Sequence, residues 1–511
     1  MEYYVLTMRF SVSTLIIFSW CTGRSTFALV PGSPVGPKQN LVRRSVASLP
    51  PPTSDRSRST QNFNDYSDDL AAEKPRIGNL AFIDDTWRII DDDEQIDPAA
   101  TLSDARITES LSMDTTLDHL DTSPRAWAVR SPITFEYRVV ECPGLLEPSN
   151  NALLVGHLEP FSAERAAALR CTQRRLIVID ETVDDLFGED VRSYFDARDV
   201  TYEILRLPLV EEEKDMEMVL KVCSAMKKFN VDRRNEPVIA IGGGVALDIV
   251  GLACTLFRRK TPYIRVPTTT LSYVDASVGA KSGVNFMGSK NRLGAYVPPV
   301  AALLDSSFLR TEDTRAVASG VAEMAKMAIM KSPELFEMLE AHAPRLVSCR
   351  FQRRDADDYA PAEVLRHSIS TMLEELAPNL WEKSLDRLVD FGHTVGQELE
   401  MHALGTEHEL THGESVAVDM AYMTCLSNVM GLLSNDERDR TLAMLRGCGV
   451  PVHSPLVDRA FILHAMAERR KQSMGLRLPL PVGIGQGRLF RDVDEGLLFK
   501  ALDLWTTLTR P

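Results

Sequence analysis

The run from Pro237 to Asp305 constrains this chain more than any other part. It begins with a β-branched apolar run (Val238, Ile239, Ile241), which meets three glycines, Gly242 to Gly244. A helical pattern follows, and then a second strand pattern, Tyr263 to Val266. Strand, glycine turn, helix and strand in this order make a nucleotide-binding α/β unit. Glycines let backbone approach a pyrophosphate, and the N–H groups that open the helix attract its charge. Asp275, Lys281, Lys290, Asn291 and Arg292 follow among small residues. So many cations between glycines exceed what packing needs.

Around this unit the chain divides. Phe135 to Val140 alternates like a strand, Leu176 to Ile179 is a buried strand ending at Asp180, and Tyr202 to Leu207 is another, stopped by Pro208. Met216 to Phe229 has helical spacing. After Asp305 long helical patterns dominate: Ala316 to Ala341, Ala362 to Leu376, Leu385 to Met401, Gly413 to Met430 and Asp436 to Arg446. The expected fold is an α/β nucleotide-binding domain over 131–305, then a mainly helical metal- and substrate-binding domain over 306–511. The cleft between them is the default site.

The first 130 residues read differently. Phe10 to Trp20 is an apolar run behind Arg9, too short for a bilayer, which takes about 20 residues. No stable membrane span is expected, and residues 1–26 suit a signal peptide. Residues 27–130 continue as a leader. The part up to Thr60 is rich in Pro, Ser and Arg, and the stretch from Asp65 to Asp121 is acidic and reads as mostly disordered. A signal sequence before a basic segment led by Phe27 resembles plastid-targeting leaders of algae with red-lineage secondary plastids. Plain secretion and a cytoplasmic place are the alternatives. The net charge of −15 argues against a nucleic-acid partner. The eight cysteines hold no CxxC pair, which suggests neither a disulfide framework nor a thiolate zinc site.

The helical half carries candidate metal ligands. Glu323 and Lys326 lie three apart in SGVAEMAKMAIMK and share one helix face in an apolar setting. Alone they would make an ion pair. DFGHTVGQELE places His393 near a helix start, and THGESVAVDM places His412 at another. Two histidines and one carboxylate suit a divalent site with an open position. His408 to His412 also reads HELTH, the zinc-protease pattern. That reading needs one helix through both histidines. Gly413, just after His412, and Gly405 favour a short exposed turn instead.

Taken together, from Ile133 to the C-terminus, these motifs resemble the dehydroquinate synthase superfamily, the sugar phosphate cyclases. Within it the chain looks most like the sedoheptulose 7-phosphate cyclases of the 2-epi-5-epi-valiolone synthase type. The resemblance implies zinc, or cobalt, on Glu323, His393 and His412. It implies NAD on Gly243, Gly244 and Val245 with Asp248 nearby, and with Asp180, Glu211, Lys214, Thr268, Thr269, Leu271 and Thr311. Arg259, Lys281, Lys290 and Asn291 match positions that contact the sugar phosphate. Lys471 is placed with the substrate by an ungapped placement on LPLPVGIG. Asp275 would orient hydroxyls, and Lys281 and Lys326 would stabilise the developing oxyanion or phosphate. NAD would oxidise and later re-reduce the substrate around a phosphate elimination, and an aldol step would close a carbocycle. A homodimer is expected.

Substrate choice turns on the differences. Dehydroquinate synthases hold a carboxylate with a Lys and an Arg upstream of the GHT motif; the matching positions here are Met372 and Asp386. A neutral ketose phosphate fits better. Leu376 and Asp390 match the valiolone type, where the demethyl-4-deoxygadusol synthases carry Glu and Ala, and Asp390 would act catalytically on a hydroxyl of the neutral sugar or its ring-opened intermediate. Lys471, where a His is expected, leans toward 3-dehydroquinate synthase, which with the deoxygadusol type stays open as an alternative. A NAD-dependent polyol dehydrogenase is the alternative from another class.

Overall fold

The structure, a computed structural model, describes residues 135–471 and 475–510. The leader expectations for 1–26 and 27–130 lie outside the described residues. No described helix is long and apolar enough to cross a membrane.

The α/β half is a parallel sheet. Its strands are β1 (Arg125–Glu141), β2 (Gln173–Asp180), β3 (Val200–Leu207), β4 (Val238–Gly242), β5 (Tyr263–Pro267) and, further along, β8 (Ala301–Leu304). They run in the order β1-β8-β5-β4-β2-β3, each pair parallel. Residues of β2, β4 and β5 alternate between two cores, which is why these strands read as continuous apolar runs. Ile177, Ile179, Ile239 and Ile241 face Phe187, Val191 and Phe195 of α1 (Glu181–Asp196). Leu176, Val178, Val238 and Ala240 face α2 (Met216–Phe229) and α3 (Gly244–Leu256). Buried over most of its surface, α3 is mostly apolar, with Asp248 and Thr255 as its polar side chains.

The order matters for function. From β2 the chain steps outward to β3, then returns to β4 on the other side of β2. The topology therefore switches between β2 and β4, and open α/β sheets bind ligands beyond the carboxyl ends at such a point. Asp180 ends β2 and Gly242 ends β4.

Between β5 and β8 an antiparallel hairpin stands off the sheet, β6 (Lys281–Phe286) and β7 (Ser289–Tyr296), and carries Lys281, Lys290 and Asn291. The helical half follows: α4 (Thr314–Met330), α5 (Pro333–Ser348), α6 (Ala360–Leu376), α7 (Gly396–Ala403), α8 (His412–Val429), α9 (Asn435–Gly447), α10 (Arg459–Gln472) and α11 (Glu495–Thr509). A small hairpin, β9 (Leu478–Gly483) with β10 (Gln486–Phe490), lies before α11. Most of α4, from Val317 on, and most of α8 lie inside one large core.

Two helical expectations need correction. The pattern from Ala316 to Ala341 is two helices, because Ser332 caps α5 with Pro333 at its first position. Leu385 to Met401 is mostly loop. Gly392 takes φ +81°, where a Cβ would lie 2.6 Å from Val416 Cγ1, and only one short 3-10 turn (Leu388–Asp390) and α7 at the end are helical.

Candidate active site

A close approach of α4 and α8 sets the metal candidates. At Gly413 a Cβ would lie 2.0 Å from the carbonyl oxygen of Ser319, so only glycine allows this contact. The Gly413 N–H donates to Ser319 Oγ at 2.9 Å. One helical turn beyond Ser319, Glu323 then faces His412, the first residue of α8. His393 arrives from the loop before α7. Its N–H donates to the Asp390 carbonyl at 3.0 Å, and its Nδ1 lies 3.0 Å from the Phe391 carbonyl.

These three side chains meet. Nε2 of His412 lies 3.4 Å, and Nε2 of His393 3.8 Å, from Glu323 Oε1. One ligand atom from each falls within 4.8 Å of the others. Glu323 is fully buried; Lys326 pairs with its Oε2, and its Oε1 faces the two Nε2 atoms. A cation held between Oε1 and the two Nε2 atoms would satisfy this buried oxygen, which has no strong donor of its own among the described residues. The Nδ1 atoms of both histidines are engaged elsewhere, by a carbonyl and by the Glu400 carboxylate, which leaves both Nε2 atoms as ligands. The donor set therefore fits a divalent cation such as zinc. His408 is exposed in a loop before α8 begins, so no helix joins it to His412 and the protease pattern is absent.

The electrostatics without a metal follow from burial. Burial, helped by Lys326, pulls His393 down to about 4. Burial also works against a charged His412, but the carboxylates of Glu323 and Glu400 outweigh it and raise the group to about 10. Lys326 pairs with Glu323 one turn along α4. Burial lowers the Lys326 pKa, and Glu323 and Asp275 overcome it, so the ammonium stays charged. Asp275, in the distorted turn Ser272–Ala276, is pushed up by burial despite Lys326. The site thus holds a buried cation, a carboxylate and the histidine pair side by side.

Polar groups from the α/β half continue the site. Lys290 pairs with Glu400 and lies 3.8 Å from Glu211 Oε1. Lys214 donates to Asn291 Oδ1 at 2.8 Å and pairs with Asp248 on α3 at 2.7 Å. Lys281 pairs with Glu382. At the glycine turn, a Cβ on Gly242 would lie 2.5 Å from Ala246 Cβ, so glycine is needed for the turn to pack on its own helix. Gly243 caps α3 without a side-chain bond, which leaves the first N–H groups to a ligand. Val245 follows in the first turn of α3. Thr268 and Thr269 follow β5, where the Thr268 N–H donates to the Gly242 carbonyl at 3.0 Å. Leu271 lies just before the Asp275 turn, and Thr311 closes the short helix Ser306–Thr311. This open cradle at the sheet's switch point fits a dinucleotide pyrophosphate.

Four expected site residues stand differently. Asp180 uses its carboxylate on backbone, accepting from Thr182 and Val183 N–H at 3.0 and 3.2 Å and from Leu209 N–H at 3.2 Å. It caps α1, which limits it as a ribose partner. Arg259 follows the far end of α3, in a left-handed turn with Arg258 and Lys260 (φ 48°, 65° and 113°). Thirteen helical residues, about 20 Å of rise, separate it from the glycine turn. Lys471 is exposed and pairs with its neighbour Glu468 on α10. Asp390 is not an open acid. Its Oδ1 lies 2.7 Å from Arg387 Nη2, and its Oδ2 2.7 Å from Arg469 Nη2.

Three side chains were missed. Arg469 reaches Asp390 across 79 residues. Glu400 reaches His412. Asp419, on α8, accepts from the N–H groups of Thr394, Val395 and Gly396 at 2.8, 2.8 and 3.0 Å. It thereby holds the loop of His393 from below, and burial raises its pKa to about 6 despite those donors. The only available signal was a charged residue inside an apolar helical run.

This arrangement defines a nucleotide- and metal-dependent enzyme site between a parallel sheet and a helical half. Residues 204–319 match the 3-dehydroquinate synthase N-terminal family and 320–472 the C-terminal one. The chain belongs to the 3-dehydroquinate synthase family. It is 44% identical to a 2-epi-5-epi-valiolone synthase of Actinomyces sp over 380 residues, 74% of this chain and 97% of that protein. A demethyl-4-deoxygadusol synthase of Trichormus variabilis is 33% identical over 371 residues, 72% and 87%. Among solved structures, the 2-epi-5-epi-valiolone synthase ValA from Streptomyces hygroscopicus subsp. jinggangensis 5008, with NAD+ and Zn2+ bound, is similar with a TM-score of 0.66 and 43% identity, covering 73% of this chain and 97% of ValA.

Proposed function

We propose that this chain cyclises sedoheptulose 7-phosphate with loss of phosphate, giving 2-epi-5-epi-valiolone, with NAD and a divalent metal as cofactors. The observation that carries the reading is the Glu323–His393–His412 cluster, met by Lys290 from the nucleotide half. Its similarity to valiolone synthases exceeds that to the deoxygadusol enzyme, at 44% against 33% identity.

Glu323, His393 and His412 would hold the metal, and the glycine turn the dinucleotide. When bound, these supply Lewis-acid polarisation of a substrate oxygen and reversible hydride transfer. The chain does the rest by binding and charge. Lys326, kept protonated between Glu323 and Asp275, faces any oxyanion that develops at the cluster. Asp275, half-buried and raised by burial, can accept or share a proton from a substrate hydroxyl. Lys281 and Lys290, on the same hairpin, supply cations for the departing phosphate.

The site also disfavours a carboxylated substrate. Met372 is buried in the helical core, and Asp386 faces Arg477 and Arg491 at 2.8 and 2.6 Å. The guanidiniums near the His393 loop are already taken, Arg469 by Asp390 and Arg387 by Asp390 and Glu382. The test is phosphate release from sedoheptulose 7-phosphate with NAD below stoichiometric amounts. The reading expects many turnovers per NAD with no net NADH; conversion of the NAD to NADH, with no phosphate release and turnover ending when the NAD is used up, would make the chain a polyol dehydrogenase instead. The reading also includes a homodimer and delivery to a plastid by the leader. Light-scattering mass checks the first, and a reporter fused to the first sixty or so residues checks the second. A monomeric mass, or a cytosolic fusion, would remove the respective point.

A further inference from the structure

We propose that Glu400 is a positioning residue whose two oxygens set the metal ligand His412 and the hairpin cation Lys290 together. The proposal rests on the metal site described above and extends it to a residue outside the ligand set.

Glu400 lies on α7, and only 11% of its side chain is exposed. Its Oε2 lies 3.0 Å from His412 Nδ1. A carboxylate at that distance accepts Nδ1–H. This fixes the tautomer, turns the Nε2 lone pair toward Glu323 and makes the imidazole a stronger ligand. The two histidines are therefore unequal, since His393 has only the Phe391 carbonyl behind it. The other oxygen, Oε1, holds the Lys290 ammonium.

The contacts continue from Lys290. Glu211, 3.8 Å beyond it, accepts from Asn285 Nδ2 at 2.9 Å. Asn285 Oδ1 accepts from the Asn291 N–H at 3.0 Å, and Asn291 Oδ1 accepts from Lys214, which pairs with Asp248 on α3. One carboxylate thus begins an unbroken polar chain from a metal ligand to the helix of the glycine turn. The bond to His412 does not involve Lys290, whereas Glu400 is the nearer of the two carboxylates that hold Lys290.

The test measures zinc affinity of metal-free protein by competition with a coloured chelator, so it does not depend on turnover. Circular dichroism melting of the metal-free variants accompanies it. Glu400→Ala should bind zinc about 10–100-fold more weakly than the parent chain. Glu400→Gln should fall between, because its amide oxygen still accepts from Nδ1–H but carries no charge. Lys290→Met should stay within about threefold, because the His412 bond survives. Unchanged melting with weakened zinc binding separates positioning from a folding role. If Glu400→Ala does not fold, the isosteric Glu400→Gln decides. Glu400→Gln binding as tightly as the parent overturns the role while leaving the metal site standing. A parent chain that binds no zinc overturns the site, and the role with it.

Discussion

Replacing Asp390 by Asn should unfold this protein more easily by about 3 kcal/mol at neutral pH, the low end of the cost of breaking a buried ion pair. Asp390 is 8% exposed, with Arg387 reaching both of its oxygens and Arg469 one of them. Arg387 keeps Glu382, so the substitution strips the carboxylate mainly from Arg469. That places the cost at the lower end. The assay is urea unfolding of the parent, Asp390→Asn, Arg469→Met and the double variant. Each single change should cost about 3 kcal/mol, and the double about as much as one, a coupling near the upper end of measured pairs. The pH dependence has a definite sign. Burial pushes the Asp390 pKa up, but Arg387 and Arg469 outweigh it and hold it below the usual carboxylate value. The pair therefore stabilises above the unfolded pKa, about 3.9, and the gain is lost as pH falls through the lower folded value. The parent's advantage over Asp390→Asn should shrink below pH 4. Additive single costs, or an advantage that grows in acid, would refute the reasoning.

The remaining expectations concern the metal, the cradle and the loop. His393→Ala or His412→Ala should remove bound zinc, measured by elemental analysis, and abolish turnover, whereas His408→Ala should do neither; the opposite pattern revives the HELTH reading. Gly242→Ala places a methyl 2.5 Å from Ala246 Cβ and should cost about 1–3 kcal/mol in unfolding free energy. Gly244→Ala meets only Ala276 Cβ at 3.7 Å and should melt no lower, yet weaken NAD binding in a fluorescence titration by filling the cradle. Asp419→Ala leaves three backbone N–H groups without their acceptor and should cost about 3 kcal/mol or more, at about 1–3 kcal/mol for each orphan; unchanged urea unfolding would contradict that role.

Much of the fold was legible because its signals are local. The glycine turn sits between two apolar runs, and α2 was readable to the residue from its spacing. The hairpin β9–β10 was not, because Pro479 and Pro481 argue against a strand. What the sequence hid was long-range pairing. Asp419, Glu400 and Arg469 each sit in an ordinary helical pattern, and their partners lie 25, 12 and 79 positions away. Lys471 shows the same limit. Two residues on a helix are about 200° apart, so Arg469 turns inward to Asp390 while Lys471 turns out to Glu468. The loop of His393 defeated periodicity because Arg387 and Asp390 spend their side chains on ion pairs and Gly392 needs a left-handed backbone.

The most direct test offers the purified, zinc- and NAD-loaded protein two substrates side by side, sedoheptulose 7-phosphate and the carboxylated precursor of dehydroquinate. The resemblance places Met372 and Asp386 at the positions where dehydroquinate synthases hold the carboxylate with two cations. Each such charge-assisted bond contributes about 1.5–3 kcal/mol, so their absence should give about a hundredfold preference or more for the neutral sugar. Phosphate release should follow sedoheptulose 7-phosphate, with 2-epi-5-epi-valiolone identified by mass and NMR. Comparable rates on both, or a preference for the carboxylated substrate, would contradict the account and make this chain a dehydroquinate synthase.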